Sequence, residues 1–202
     1  MFLSASEIQN LVTTGELLIE PFSPENLKPA SYVLRLSNRW RRWFPSDEPI
    51  DLTASIDVGK HLSPIVTSEE YVLSNTEFCL AATIEKLSLP PHLVGIVTPL
   101  SHVTRWALSV GLGSSIVSPK FGATTPTSLT LELAAHNPSP LKLRAGLPIC
   151  HLAFIKVTPD NESRLLGQSI YEGREAPSGP LLAEEWDMRT LEQENPADGY
   201  RW

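Results

Sequence analysis

Residues 128–137, SLTLELAAHN, alternate apolar and polar side chains and predict a β-strand with one buried face. The leucines share one face of this strand and the polar residues share the other: Leu129, Leu131 and Leu133 against Ser128, Thr130 and Glu132. Glu132 is the only charged residue in the stretch. It is either a solvated carboxylate on an outer sheet face or an acid held inside a pocket, and most strand glutamates are of the first kind.

Strand patterns of the same kind fill most of the chain from residue 17 to residue 157. Turn residues separate them, as at Pro90-Pro91 and Asn137-Pro138, and no helical pattern lies between them. Regularly spaced strands without interleaved helices predict an all-β sandwich or barrel-like fold. Ahead of the strands, Ser4 and Glu7 form a capping box and Gly15 stands where a helix would end, which predicts a short N-terminal helix.

The character of the sequence changes at about Thr158, where polar and turn-forming residues become frequent. We therefore divide the chain into a β domain, residues 1–157, and a C-terminal extension, residues 158–202. Residues 181–194 predict an acidic amphipathic helix within the extension. A disordered tail is the alternative, but the extension carries apolar side chains to bury against its own subunit or a neighbour: Tyr171, Leu181, Leu182 and Trp186.

Composition excludes several classes of protein. The net charge of −7 argues against nonspecific binding of nucleic acid or of an anionic membrane surface, because both need a basic surface. Cys79 and Cys150 lie in apolar strand-like runs, which favours buried free thiols in a reducing compartment over a disulfide. No signal-peptide pattern is evident, and the longest apolar stretch, residues 147–157, is about half a membrane span. We expect a cytoplasmic protein.

Three further patterns bear on possible chemistry. The histidines show no metal-ligand spacing and C-x-x-C is absent, so no protein-bound catalytic metal is predicted. Cys150 and His151 are adjacent, so on a strand they point to opposite faces and cannot form a catalytic pair. Residues 37–45, SNRWRRWFP, could bring charge and stacking to a nucleic acid, but the acidic net charge favours a strand with an exposed cationic edge.

The order of the segments carries a family resemblance. Five segments, taken in chain order, resemble the metal-independent dCTP deaminases of the trimeric dUTPase superfamily. They are LLIEPFSPENLKPASYVLRLSNRW, YVLSNTEFCLAATIEKLSLPPHLVGIV, LSHVTR, SLTLEL and PLKLRAGLPICHLAF. The match covers roughly residues 3–157. The resemblance implies a dUTPase-like distorted β-barrel or jelly-roll subunit (β-clip), a homotrimer, and active sites built between subunits.

The resemblance also assigns roles to residues. Glu132 occupies the position of the family's general acid/base, which takes a proton from the water attacking C4 of cytosine and delivers it to N3 and the leaving amine. The family loop S-S-L-x-R corresponds to residues 101–105. Ser101 would orient the water and stabilise the oxyanion, and Arg105 would pair with the carboxylate. The implied reaction converts a cytosine deoxynucleotide triphosphate to the uracil nucleotide and ammonia, with Mg²⁺ carried by the substrate's phosphates.

The chain departs from the family pattern where the family binds phosphate. Leu100 replaces a basic phosphate contact, His102 replaces the second serine, and Ser118 replaces the aspartate of I-D-P-G. Residues 111–114 replace the H-x-T-A segment, and Ile116 replaces an arginine that some members carry. The proton-transfer residues are thus retained while the triphosphate contacts differ. The candidates for nucleotide binding are His102, Ser114, Lys120, Tyr171 and Arg174.

Three functions remain open at this point. The first is deamination of dCTP or a related cytosine nucleotide. The second is a dUTPase-like or bifunctional pyrophosphatase, and the third is a noncatalytic nucleotide-binding trimer with a regulatory role. All three share one fold, so the fold does not separate them.

Overall fold

The computed structural model describes residues 1–52, 57–113, 115–158 and 177–180. It begins with the predicted helix, α1, at Ala5–Thr13. The Ser4 backbone N–H donates to Glu7 Oε2 at 3.0 Å and the Glu7 N–H donates to Ser4 Oγ at 3.4 Å, so the predicted capping box is present. Gly15 follows the helix with φ +76°, which confirms its predicted place at the helix end.

Most of the other regular elements in the described chain are strands, which confirms the predicted all-β class. These are β1 (Leu18–Glu20), β2 (Leu27–Lys28), β3 (Ser31–Arg42), β4 (Val66–Thr67), β5 (Glu70–Leu73), β6 (Phe78–Ser88), β7 (Leu93–Pro99), β8 (Leu108–Val110), β9 (Ile116–Val117), β10 (Thr127–Ala135), β11 (Leu141–Arg144) and β12 (Pro148–Lys156). A four-residue helix, α2 (Ser101–Thr104), lies between β7 and β8. The strand pattern did not predict α2, because four residues are too few to show a helical period.

Ten strands form one curled sheet in the order β8-β10-β6-β3-β12-β7-β9, with β1 beside β6 and with β2 and β4 beside β3. The remaining strands, β11 and β5, pair separately. Strand β3 joins the two halves of the sheet, because its first part pairs with β12 and its last part pairs with β6. The sheet therefore wraps around a single core instead of lying flat.

The core fills the inside of this curl. Leu129, Leu131 and Leu133 are all buried there, as the alternation in β10 predicts. Cys79 and Cys150 are buried free thiols, which confirms that prediction, and burial raises the pKa of each thiol to about 12.

The strand predicted at residues 37–45 is present as the last part of β3, but its predicted exposed edge is wrong, because β3 is an inner strand. Trp40 is fully buried, its ring stacks on Tyr71 at 5.0 Å, and its Nε1 donates to the Ser68 carbonyl at 2.9 Å. Arg41 is half-buried and its Nε donates to the Ser63 carbonyl at 2.7 Å. Within this charged stretch, Trp40 packs into the core, while its neighbours Arg39 and Arg41 face the other side of the sheet.

Two polar side chains of β6, Thr83 and Glu85, form hydrogen bonds with backbone groups of the neighbouring strands. The register shifts between Ser128 and Thr130 on the β10 side, where Thr83 Oγ1 accepts the Leu129 N–H at 2.9 Å and donates to the Glu85 carbonyl at 2.7 Å. On the β3 side, the fully buried Glu85 accepts from Arg35 N at 2.9 Å and from Arg35 Nε at 2.7 Å. Buried backbone groups that the ladder leaves unpaired are satisfied in this way.

In the described ranges, no helix is long and apolar enough to cross a membrane. Most of the predicted extension, including the acidic helix at 181–194, lies outside the described residues. The division of the chain at residue 157 stays a prediction.

Candidate active site

Glu132 lies in the middle of β10, on the face opposite to the buried leucines, and is half-buried. Its register partner in β6 is Leu80, which is 5% exposed, so an apolar neighbour covers one side of the carboxylate. This burial raises the pKa of Glu132, and a hydrogen bond from its own backbone offsets part of the rise. The structure therefore favours an acid held in a pocket over a solvated surface carboxylate.

Arg41 shares this face and was missed by the sequence reasoning. Glu132 pairs with Leu80, and Leu80 pairs with Arg41, so the three side chains form a row across β10, β6 and β3. Two strand spacings separate the ends of the row, which is about 10 Å between backbones. Burial lowers the pKa of the Arg41 guanidinium. The period of two in β3 could have indicated Arg41, because it stands out of phase with the buried Trp40.

Residues 177–180 of the predicted extension cross the same face. The Ser178 N–H donates to Thr130 Oγ1 at 2.9 Å, and Thr130 is the same-face neighbour of Glu132 in β10. Gly179 packs closely at the other end of the row, since a Cβ there would lie 2.9 Å from Leu62 Cδ2 and 3.8 Å from Arg41 Nη1. This part of the extension therefore packs on the chain's own sheet, beside Glu132.

The second group of candidate residues surrounds α2. Ser101, His102 and Arg105 are exposed, while Val103 is 5% exposed and anchors the turn in the core. Leu100 is also buried, and its N–H donates to the Ile149 carbonyl in β12 at 3.1 Å. Leu100 thus packs in the core at the position where the resemblance expects a basic phosphate contact. The ionisable side chains of this turn are His102 and Arg105.

The described chain does not bring these two groups together. Leu108 pairs with Ala135, so the Arg105 backbone lies beyond the end of β10, while Glu132 lies three residues, or about 10 Å of strand, inside that end. No hydrogen bond or ion pair within the described ranges joins Glu132 to Ser101 or Arg105. The carboxylate and the polar turn are both partly open, and each lacks the partner that the resemblance assigns to it.

The remaining candidates lie elsewhere. Val117 pairs with Gly95, so Lys120 lies beyond the Gly95 end of β7 while Ser101 follows its Pro99 end, about 13 Å away. Ser114, Tyr171 and Arg174 lie outside the described residues. Among the residues that the structure describes, no group of three or more His, Cys, Asp or Glu side chains could hold a metal ion. Cys150 is buried whereas His151 is partly exposed, so the two point to opposite faces as predicted.

The fold agrees with comparisons to known proteins. The family model described as dCTP deaminase-like matches residues 2–157, and the chain belongs to this family. The match ends one residue beyond the last strand, β12, and so covers the whole described sheet.

Curated relatives cover nearly the whole chain. A protein of Corynebacterium glutamicum named "dCTP deaminase, dUMP-forming" is 32% identical over 184 residues, which is 88% of this chain and 94% of the relative. A protein of Nanoarchaeum equitans with the same name is 27% identical over 197 residues, which is 90% of this chain and 98% of the relative.

One solved structure shows the same fold. The crystal structure of 2'-deoxycytidine 5'-triphosphate deaminase from Agrobacterium tumefaciens matches with a TM-score of 0.59 at 22% identity. The alignment covers 76% of this chain and 46% of that chain.

Proposed function

We propose that this protein is a nucleotide hydrolase that deaminates dCTP, in its Mg²⁺ complex, to the uracil nucleotide and ammonia. The observation that carries the proposal is Glu132, a half-buried acid whose pKa is raised by burial, at the position where the family has its general acid/base. A carboxyl group with a pKa nearer neutrality can both take and give a proton at working pH. A solvated strand glutamate would do neither efficiently.

Each step moves one proton through the same group. The Glu132 carboxylate takes a proton from water as the water oxygen bonds to C4 of cytosine, and the proton then passes to N3. Glu132 then takes the proton of the hydroxyl group now on C4 and delivers it to the amine, so the C4–N bond breaks as the C4=O bond forms and ammonia leaves. Ser101 orients the water, and Arg105 balances the charge on the carboxylate during the transfer.

The proposed active enzyme is a homotrimer in the cytoplasm, with Ser101 and Arg105 of one copy meeting Glu132 of another. The separation of α2 from Glu132 within one chain supports this arrangement. So do three large apolar side chains close to α2 in sequence, which remain 66%, 51% and 63% exposed: Trp106, Leu112 and Ile116. Large apolar side chains exposed at this level are expected to be covered if they belong to an interaction surface.

Glu132→Gln tests the proposal directly. The amide keeps the volume of the side chain but cannot carry a proton, so ammonia release from dCTP should fall by at least about 10²-fold while nucleotide binding persists. Glu20→Gln, an exposed glutamate at the end of β1, is the matched control and should keep full activity. Ammonia release by Glu132→Gln within a few-fold of the unaltered enzyme would remove Glu132 from the mechanism.

The product should be dUTP, although the relatives quoted above are named as dUMP-forming. Ser118 occupies the position of the acid that the resemblance assigns to pyrophosphate hydrolysis, and a serine hydroxyl is not a base near neutral pH without a partner that removes its proton. Pyrophosphate should not accumulate, and dUTP offered alone should persist. Formation of dUMP at the rate of ammonia release would show that another acid serves this step.

A noncatalytic role is the second candidate, favoured by the burial of Leu100 at the lost phosphate contact. It predicts that cytosine nucleotides bind without any ammonia release. A panel of cytosine nucleotides, with product masses recorded, separates the two functions.

A further inference from the structure

Three cationic or protonatable side chains from distant parts of the sequence meet at one end of the sheet. Lys28 in β2 pairs with Ser31 in β3, and the Ser31 Oγ and His151 Nδ1 lie 3.0 Å apart in a hydrogen bond. His151 in β12 pairs in turn with Thr98, near the end of β7 from which α2 and His102 follow. We call Lys28, His102 and His151 the basic cluster.

Among the residues that the structure describes, the basic cluster has no acidic partner. No carboxylate within the described ranges forms an ion pair with any of its three members. In the part of the chain that the structure describes, Lys28 Nζ donates to a backbone carbonyl, that of Glu25, at 3.5 Å. Burial, together with the charges of Lys28 and His102, lowers the pKa of His151. A bound anion would balance the charge of Lys28 and would favour the protonated form of His151.

We propose that the basic cluster, with Ser31, binds the phosphate chain of the nucleotide. The proposal rests on the proposed function, because His102 directly follows Ser101 and so places the cluster beside the catalytic turn. Lys28 and His151 would supply N–H donors and charge that Leu100 does not provide. The two residues are more than a hundred positions apart in sequence, and only the pairing of β2, β3 and β12 brings them together.

Substrates that differ only in phosphate number test this role. In Lys28→Gln and His151→Gln, KM for dCTP should rise about tenfold, as expected for loss of one charge-assisted hydrogen bond, with kcat changed by less than about twofold. The KM increase should shrink from dCTP to dCDP to dCMP and vanish for deoxycytidine. Lys86→Gln and His92→Gln are matched controls, because both side chains lie outside the cluster, and they should leave KM unchanged.

A direct binding measurement separates this inference from the proposed function. Inorganic tripolyphosphate, added to the full chain, should raise the pKa of His151 followed by NMR of its ring protons, and Lys28→Gln should weaken that binding about tenfold. If the protein deaminates nothing while tripolyphosphate still raises this pKa, the proposed function fails and the phosphate site is supported.

Three outcomes would overturn the inference. The first is no effect of tripolyphosphate on His151. The second is an equal rise of KM for deoxycytidine and dCTP in the variants, which would indicate a structural role only. The third is tripolyphosphate binding together with an unchanged KM for dCTP, which would indicate a site for free polyphosphate instead of the nucleotide.

Discussion

Glu132 illustrates at the scale of one residue how a half-buried acid, at the position proposed above for proton transfer, opposes stability. Its pKa in the folded chain lies above its ordinary value of 4.5, because burial disfavours the charged form. The free energy that the folded state gains from the neutral carboxyl is fully present below about pH 4.5 and is lost as the pH rises through the raised pKa. Near neutral pH the ionised carboxylate therefore destabilises the fold.

Glu132→Gln should consequently raise the melting temperature near pH 7, by roughly 1–3 °C, because the amide carries no buried charge. Near pH 4, where the native carboxyl is also uncharged, the difference should disappear. Thermal unfolding followed by circular dichroism at both pH values measures this. A lower melting temperature for Glu132→Gln at neutral pH would mean that the charge is compensated in the folded protein.

The two cysteines give a second prediction at the residue scale. Both thiols are fully buried and the pKa of each is about 12, so neither forms a thiolate in the folded protein near pH 8. A thiol reagent such as dithionitrobenzoate should label neither Cys79 nor Cys150 until denaturant is added, after which both should react. Rapid labelling of the native protein would contradict the burial of these strands.

At the scale of the element, β6 depends on the hydroxyl of Thr83. This side chain is 2% exposed and satisfies both the Leu129 N–H and the Glu85 carbonyl at a register shift. Thr83→Val keeps the shape but leaves both backbone groups without their partner, and should lower the free energy of unfolding by about 2 kcal/mol. Thr83→Ser keeps the hydroxyl and is the matched control. Urea unfolding should rank Val below Ser, and the reverse order would show that the methyl group matters more than the hydrogen bonds.

At the scale of the whole molecule, the extension crosses the face that carries Glu132. A chain that ends at Thr158 should retain a folded β domain, because the sheet and its core are complete by Lys156. Its turnover of dCTP should fall severely, since it lacks residues 177–180 beside Glu132 and also the candidate Arg174. Circular dichroism and ammonia release measure the two properties. Normal turnover by the shortened chain would show that the extension does not belong to the site.

The assembly gives the last prediction. Light scattering on the purified protein should give about three times the monomer mass of 22.3 kDa. Trp106→Glu, which places a charge on the most exposed of the apolar side chains near α2, should shift the mass toward the monomer and reduce activity. A monomeric protein with full deaminase activity would contradict a site shared between copies.

The sequence by itself determined the class of fold, because alternating side chains, turn residues and a capping box are local signals that tertiary contacts here reinforce. It also singled out Glu132 and the turn at residues 101–105, whose spacing and residue types carry the family resemblance. Only the tertiary structure decided that Arg41 faces the Glu132 side of the sheet, that residues 177–180 cross that side, and that Lys28 and His151 lie at the same end of the sheet. These contacts depend on the register of strands far apart in the chain, and a one-residue shift in register would turn each side chain to the opposite face.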